Sequence, residues 1–224
     1  MQMEFERRLQ LISPDLAIDN KPNSDLIFSI LNEAQDRFVI QNYVGDDQTE
    51  LETNTFNRNI DAIKTLFVQK RLLSSGNTEM GFPRFRLPNS TNDEYFLYST
   101  SYSHVTGTYK QHKDERVIAN KLVKYRDLQN YVTTAFNTPI IRQPAAALMS
   151  DATTKYQYLV VATDKYTVLN DVVLDYYRRP LRFDYSGKCE LPEPNHSEIV
   201  DIAVNMFIQE YKYRLQVKPQ SEQR

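Results

Sequence analysis

The chain has 224 residues, 41% hydrophobic and 25% charged, with a formal net charge of -2. That is an ordinary balance for a folded protein of one large or two small domains, and it argues against a general nucleic-acid binder, which would be basic. No apolar run approaches the roughly 18 residues of a membrane span, Met1 to Gln10 is too charged for a signal peptide, and the lone Cys189 leaves no disulfide framework, so the expectation is a cytosolic protein.

Taken in chain order, the first strong pattern lies between Ser24 and Val44. Leu26, Ile27, Ile30, Leu31, Ala34 and Phe38 form a helical stripe, with Pro22 ahead of it and Asn23 or Ser24 placed to cap it. Gly45 and the acidic "GDDQTELET" end it. A second helix is predicted from about Asn54 to Ser74, with Phe56, Ile60, Ile63 and Phe67 on one face and Lys70 and Arg71 in its last turn. Two such helices joined by a short polar loop should pack as an antiparallel pair.

The middle changes period. "EYFLYSTSY", "NKLVKY", "PAAALMS" and "YQYLVVATD" are β-rich, with a short helix predicted at Asp127 to Phe136. The charge-balanced "KQHKDER" at 110 to 116 reads as a loop. In "VVLDYYRRPLRFDY", Val172, Leu174 and Tyr176 share one face, and Val173, Asp175, Tyr177 and Arg179 the other. Pro180 should mark a strand end or an edge, because it has no backbone donor. Beyond it the alternation restarts, with Leu181, Phe183 and Tyr185 on one side. The connections are mostly too short for crossover helices, so four to six antiparallel strands are expected.

The closing segment returns to helix. Prolines 192 and 194 precede Asn195 as a predicted N-cap, with Glu198 at capping-box spacing. Ile199, Ile202, Ala203 and Met206 form one stripe, and Val200, Val204, Phe207 and Tyr211 a second beside it. A helix apolar over so much of its circumference is buried on two sides. The second side is either a neighbouring subunit or the chain's own interior. The fold class expected is α+β: a helical body of an N-terminal helix pair (1–79) and the C-terminal helix (191–224), with a central antiparallel β-rich insertion (80–190).

Chemistry is harder to find. The five glycines are isolated, which leaves no Gly-rich phosphate loop. His104, His112 and His196 lack companions at zinc-ligand spacing, and Cys189 lacks an oriented base, so no catalytic, cofactor or metal residues are nominated. The candidate interface residues are Val200, Val204, Phe207 and Tyr211 on the helix, with Tyr177, Arg178, Arg179 and Arg182 at the strand end. Those arginines would meet phosphates or, more simply, acids of the same or an adjacent chain.

In their order along the chain, "FSILNEAQDRFVIQNYV", "VVLDYYRRPLRF" and "LPEPNHSEIVDIAVNMFIQEYK" resemble structural proteins of tailed bacteriophages that infect gut Bacteroidales, the crAss-like group. Among these the chain looks most like an adaptor, a ring protein of the head-to-tail connector that docks beneath the portal. The resemblance implies about twelve copies in a ring around the DNA channel, contact with the portal and neighbouring connector or tail rings, no cofactor and no enzyme activity. It implies location in the virion after synthesis in the host cytoplasm, with no membrane partner and at most non-specific contact with packaged DNA. A tail-proximal or tail-terminator ring is the alternative, and a nucleic-acid binder using the Arg178, Arg179 and Arg182 patch is a further one. The sizeable β-rich middle departs from the smallest adaptors, which are helical with inserted loops.

Overall fold

The computed structural model describes residues 1–14, 22–43, 61–109, 112–133, 143–164, 167–182 and 188–217. The fold is mixed α+β, with helices towards both ends and a β-rich middle. In chain order the helices are α1 (Gln2–Ile12), α2 (Ser24–Asn42), α3 (Leu128–Thr133) and α4 (His196–Val217). The strands are β1 (Phe67–Leu72), β2 (Ser74–Asn77), β3 (Pro83–Arg86), β4 (Asn89–Ser90), β5 (Asp93–Tyr109), β6 (His112–Ala119), β7 (Lys121–Leu122), β8 (Ala145–Ser150), β9 (Gln157–Ala162) and β10 (Thr167–Arg178). The chain divides into two compact units: Met1–Leu66 with Pro180–Arg224, and Phe67–Arg179.

The first unit is helical. At the start of α2, Asn23 is extended and its side-chain oxygen accepts the Leu26 N–H at 2.8 Å, satisfying one of the orphan donors of the first turn. Of the predicted stripe, Ile27, Ile30, Leu31, Ala34 and Phe38 are buried, whereas Leu26 is 37% exposed. The sequence reading assigned no helix before Ser24, yet α1 is present and buries Phe5 and Leu9. Arg8 locks it to the start of α4: the guanidinium donates to the Ser197 carbonyl (2.9 Å) and hydroxyl (2.8 Å), and pairs with Glu4 and Asp201. Among the described residues α1 and α2 both pack against α4.

The second predicted helix is corrected from Lys64 onwards. Residues 54–60 lie outside the described set, 61–63 are helical, a 3-10 turn covers Lys64–Leu66, and β1 begins at Phe67. Helix propensity loses there to pairing, because every residue from Phe67 to Leu72 has a partner on β10. At the other end a 3-10 turn over Glu193–Asn195 leads into α4. The Asn195 side chain donates its amide to the Ala62 carbonyl at 3.1 Å.

The second unit is a two-layer β-sandwich. One sheet runs β1-β10-β5, with β6 and β4 also pairing β5; the other runs β2-β3-β9-β8-β7. Pairing is antiparallel except between β7 and β8, which are parallel. Between the layers lie Leu72, Tyr98, Val172, Leu174 and Tyr176 from the first sheet and Phe85, Ala146, Leu159 and Val161 from the second. Val172, Leu174 and Tyr176, which the alternation sets on one face, thus lie between the layers, while Asp175 and Tyr177 of the other face are buried as well. The opposite face of the second sheet carries Ala147, Val160 and Ala162 beneath Leu128 of α3, so β9 and the first half of β8 are covered on both sides and read as continuous apolar runs.

Where the chain passes from β6 to β7 it changes sheets, and Asn120 satisfies the corner. Its N–H donates to the Ser101 carbonyl (2.8 Å), its side-chain amide to the Ser101 hydroxyl (2.8 Å), and its oxygen accepts from Ser103 (2.6 Å). The Tyr98 hydroxyl lies 3.0 Å from the Ser101 hydroxyl and joins this buried network. Pairing of these groups removes the cost of taking them out of water.

Two further expectations are revised. "KQHKDER" is strand from His112: β6 pairs with β5 and, among the described residues, with no other strand, so its charged residues occupy a sheet edge, where charge discourages pairing with other chains. Of "NKLVKY" only Lys121–Leu122 is strand, followed by a 3-10 turn at Tyr125–Asp127. β10 stops at Arg178, two residues before Pro180, and Leu181–Arg182 are irregular. Phe183 and Tyr185 lie outside the described residues.

Candidate functional site

The second stripe of α4 does not offer a free surface. Val200 and Val204 are at most 1% exposed and Phe207 is 7% exposed within the chain itself. The Phe207 ring meets Phe5 of α1 edge-on, with centroids 6.0 Å apart and planes at 74°. Two-sided burial is supplied by α1 and α2 of the same chain, so these three residues are core and not a surface for a neighbour. Tyr211 is only half-buried and lines a small apolar hollow with Leu26, Phe207 and Glu210.

The strand-end cluster is also largely engaged. Tyr177 is buried against Phe67, its ring edge-on at 5.7 Å, and burial raises its hydroxyl above the ordinary tyrosine range. Arg179 pairs with Glu94 at 2.6 Å, donates its backbone N–H to the Glu94 carbonyl at 2.8 Å, and lies over the Phe96 ring. Arg182, in the helical unit, pairs with Asp36 at 2.7 Å and donates to the Asn32 carbonyl at 3.0 Å. Arg178 is half-exposed, and its charge acts on Asp93. The arginines serve acids of their own chain, which is the simpler of the two roles expected.

Beside them lies a polar cluster that the sequence did not announce. Asp93 accepts from the Tyr176 hydroxyl and pairs with Lys70. Burial works to raise the Asp93 carboxyl, but the bonds from Lys70 and Tyr176 outweigh it and hold the group below the usual carboxylate range. Tyr176 has no exposure, and burial with the Asp93 bond pushes its hydroxyl far up. A phenol so disposed keeps its proton and serves as a fixed donor. Its chemistry is structural.

Cys189 donates to the Gln35 side-chain oxygen at 3.5 Å, and burial pushes its thiol up from the ordinary value. The nucleophilic thiolate is disfavoured accordingly. Labelling with a thiol-specific disulfide reagent near neutral pH should be slow in the native protein, fast in urea, and shifted to higher pH than for a free cysteine. Rapid native labelling at neutral pH contradicts that environment. His196 donates its ring Nε2–H to the Leu191 carbonyl at 2.9 Å. His104 is half-exposed, 3.9 Å from Asp171. The side chain of His112 lies outside the described set.

The described residues also line a larger hollow in each unit. One of about 410 Å³ is lined by Asn42, Asp61, Lys64, Asn195 and Glu198, among others, and its Lys64 and Asp61 pair at 3.0 Å. The other, about 400 Å³, is lined by Leu72, Phe85, Leu169, Arg71 and Asp171, among others, with the last two paired at 2.6 Å. Among the described residues neither sets a nucleophile against an oriented base, and no group of three or more His, Cys, Asp or Glu could hold a metal ion. No helix there is long and apolar enough to cross a membrane.

A last group joins β3 to the entry of β9. The Arg84 guanidinium lies 4.9 Å from the Tyr158 ring centroid, and that of Arg86 lies 3.4 Å from that of Tyr156. In register Arg84 opposes Val160 and Arg86 opposes Tyr158, so each arginine leans onto the tyrosine diagonal to it. The sequence reading placed "YQYLVVATD" among the β-rich runs but did not single out "RFR". Their matched i, i+2 alternation was the signal available.

Compared with known protein families and with characterised proteins, the chain matches none.

Proposed function

We propose that the chain is a structural subunit of the head-to-tail connector of a tailed bacteriophage, an adaptor ring beneath the portal that joins capsid to tail around the DNA channel. The observation that carries this reading is the plan of the chain. Both ends build one helical unit, and the segment between Phe67 and Arg179 forms a separate β-sandwich. A body closed by its own termini with an insertion in its middle suits a ring subunit, because the body can repeat around an axis while the insertion reaches other proteins. The sequence segments that resemble crAss-like virion proteins overlap α2, β10 and α4, which frame that plan.

The interface in such a ring cannot use Val200, Val204 or Phe207, which are core. Exposed apolar side chains elsewhere on the helical unit are the better choice: Met3, Leu11 and Ile40 are 85%, 76% and 53% exposed. A nucleic-acid binder working through Arg179 and Arg182 is less favoured, since both are committed to carboxylates of the chain itself. Quantitative mass spectrometry of purified virions tests the proposal. The chain should appear in a fixed ratio to the portal protein, about one to one for rings of equal number. Its absence from particles that package DNA and carry tails sinks the reading.

A further inference from the structure

We propose that the outer face of the second sheet, at Arg84 and Arg86, is a phosphate-binding surface for a nucleic-acid backbone, read without regard to base sequence. Residues 74–88, 120–133 and 143–162, which make that sheet and its covering helix, contain six Lys or Arg and three Asp or Glu. That balance is basic inside a chain of net charge -2. Arg8, Arg71, Arg179 and Arg182 all face carboxylates, whereas among the described residues neither Arg84 nor Arg86 has an acid within ion-pairing distance. Asp151 acts electrostatically on Arg84, but its carboxylate is turned onto the N–H groups of Thr153 (2.8 Å) and Thr154 (3.3 Å).

Stacking prepares the two guanidiniums for this task. A guanidinium flat on a ring is held by the cation–π attraction while its N–H edge stays free for a second partner. Arg84 is further fixed by its Nε–H, which reaches the Ser75 carbonyl at 3.4 Å. Phe85 between them is buried in the sandwich, so both arginines must project outwards, as alternation along a strand requires. Same-face residues on a strand are about 6.6 Å apart, close to the repeat of neighbouring phosphates along one nucleic-acid strand. Lys155 sits in the left-handed backbone region (φ 57°) immediately before Tyr156 and adds an exposed cation at that end. Tyr158 is 5% exposed and already covered, so the rings support the arginines instead of stacking on bases. The surface therefore recognises backbone.

This inference stands apart from the connector reading, since either can fail alone. The test is fluorescence anisotropy of the full chain with short labelled oligonucleotides of mixed sequence, single-stranded and duplex, across a salt series. Wild type should bind at low salt, with affinity falling linearly in logarithmic salt. The Arg84→Gln/Arg86→Gln variant should bind at least tenfold more weakly, with a slope shallower by about 0.9 per lost phosphate contact. Arg86→Gln alone touches an exposed side chain and keeps the test open if the double variant misfolds; it should lose about half that slope. A charge-matched control, Arg37→Gln/Lys64→Gln in the helical unit, should change binding little. No binding by wild type at low salt, equal loss in the control, or competition by polyglutamate as effective as by DNA overturns the proposal, the last in favour of an acidic protein partner.

Discussion

Phe207→Glu should unfold the helical unit of the isolated chain, and should not merely block its assembly. Phe207 is buried against Phe5 in a core that also takes in Leu9, Ile27 and Val204. Removing a buried phenylalanine side chain costs about 3–5 kcal/mol, and a carboxylate left in that core adds a desolvation penalty. Domains are stable by only about 5–15 kcal/mol in total. Circular dichroism during urea unfolding should show the helical signal lost at a much lower midpoint, or absent in buffer. Tyr211→Glu, one turn further along α4 at a half-buried position, should stay folded. A Phe207→Glu chain with wild-type stability would place the ring outside the core.

Tyr176→Ala should be the most damaging single truncation in the sandwich. Tyr176 is fully buried between the sheets, packs against Tyr95 at 5.9 Å, and donates its hydroxyl to Asp93. Loss of the ring costs about 3–5 kcal/mol by the same cavity argument. Tyr176→Phe keeps the packing and removes only the donor, so its cost should be about 1–3 kcal/mol, that of a buried bond partner left short. The pH dependence separates hydroxyl from ring. The Asp93 carboxyl titrates lower in the folded chain than in the unfolded one, so its paired form contributes stability above the unfolded pKa, and that contribution is lost as pH falls through the folded one. The gap between wild type and Tyr176→Phe should therefore be widest at neutral pH and narrow in acid, while the Tyr176→Ala deficit persists. A gap independent of pH would mean that the hydroxyl does not serve the carboxylate.

Much of this architecture was legible where one periodicity ran unopposed. The 3.6 stripe of α2, the alternation of Val172, Leu174 and Tyr176, and the apolar circumference of α4 all point to the faces that are buried. Reading failed where tertiary pairing outweighed local pattern. Phe67 to Leu72 carries a helical spacing of apolar residues, yet β10 needed a partner on that edge and took it. α1 was missed because its buried face is only Phe5 and Leu9, set among charged residues that Arg8 uses to reach α4. For α4, pattern shows that two sides are buried but not what buries them. Val200 and Phe207 look identical in sequence whether a neighbour or the chain's own α1 covers them.

The candidate site was less legible than the fold. Arg178, Arg179 and Arg182 attracted notice because they cluster in sequence, and Arg179 and Arg182 proved to have acids waiting on other elements, Glu94 and Asp36. Arg84 and Arg86 drew none, because their distinction is that no acid among the described residues lies within ion-pairing distance of either. Absence of a partner cannot be seen before strands are in register.

The connector assignment meets its most direct test in imaging of the portal vertex of purified virions, reconstructed with the rotational symmetry of the ring. If the proposal holds, the reconstruction shows a closed ring beneath the portal whose repeating subunit contains the helical unit of α1, α2 and α4 and the β-sandwich of Phe67–Arg179, with Phe207 inside each subunit. A vertex whose rings are all filled by other chains, or this chain found only away from the virion, would contradict it.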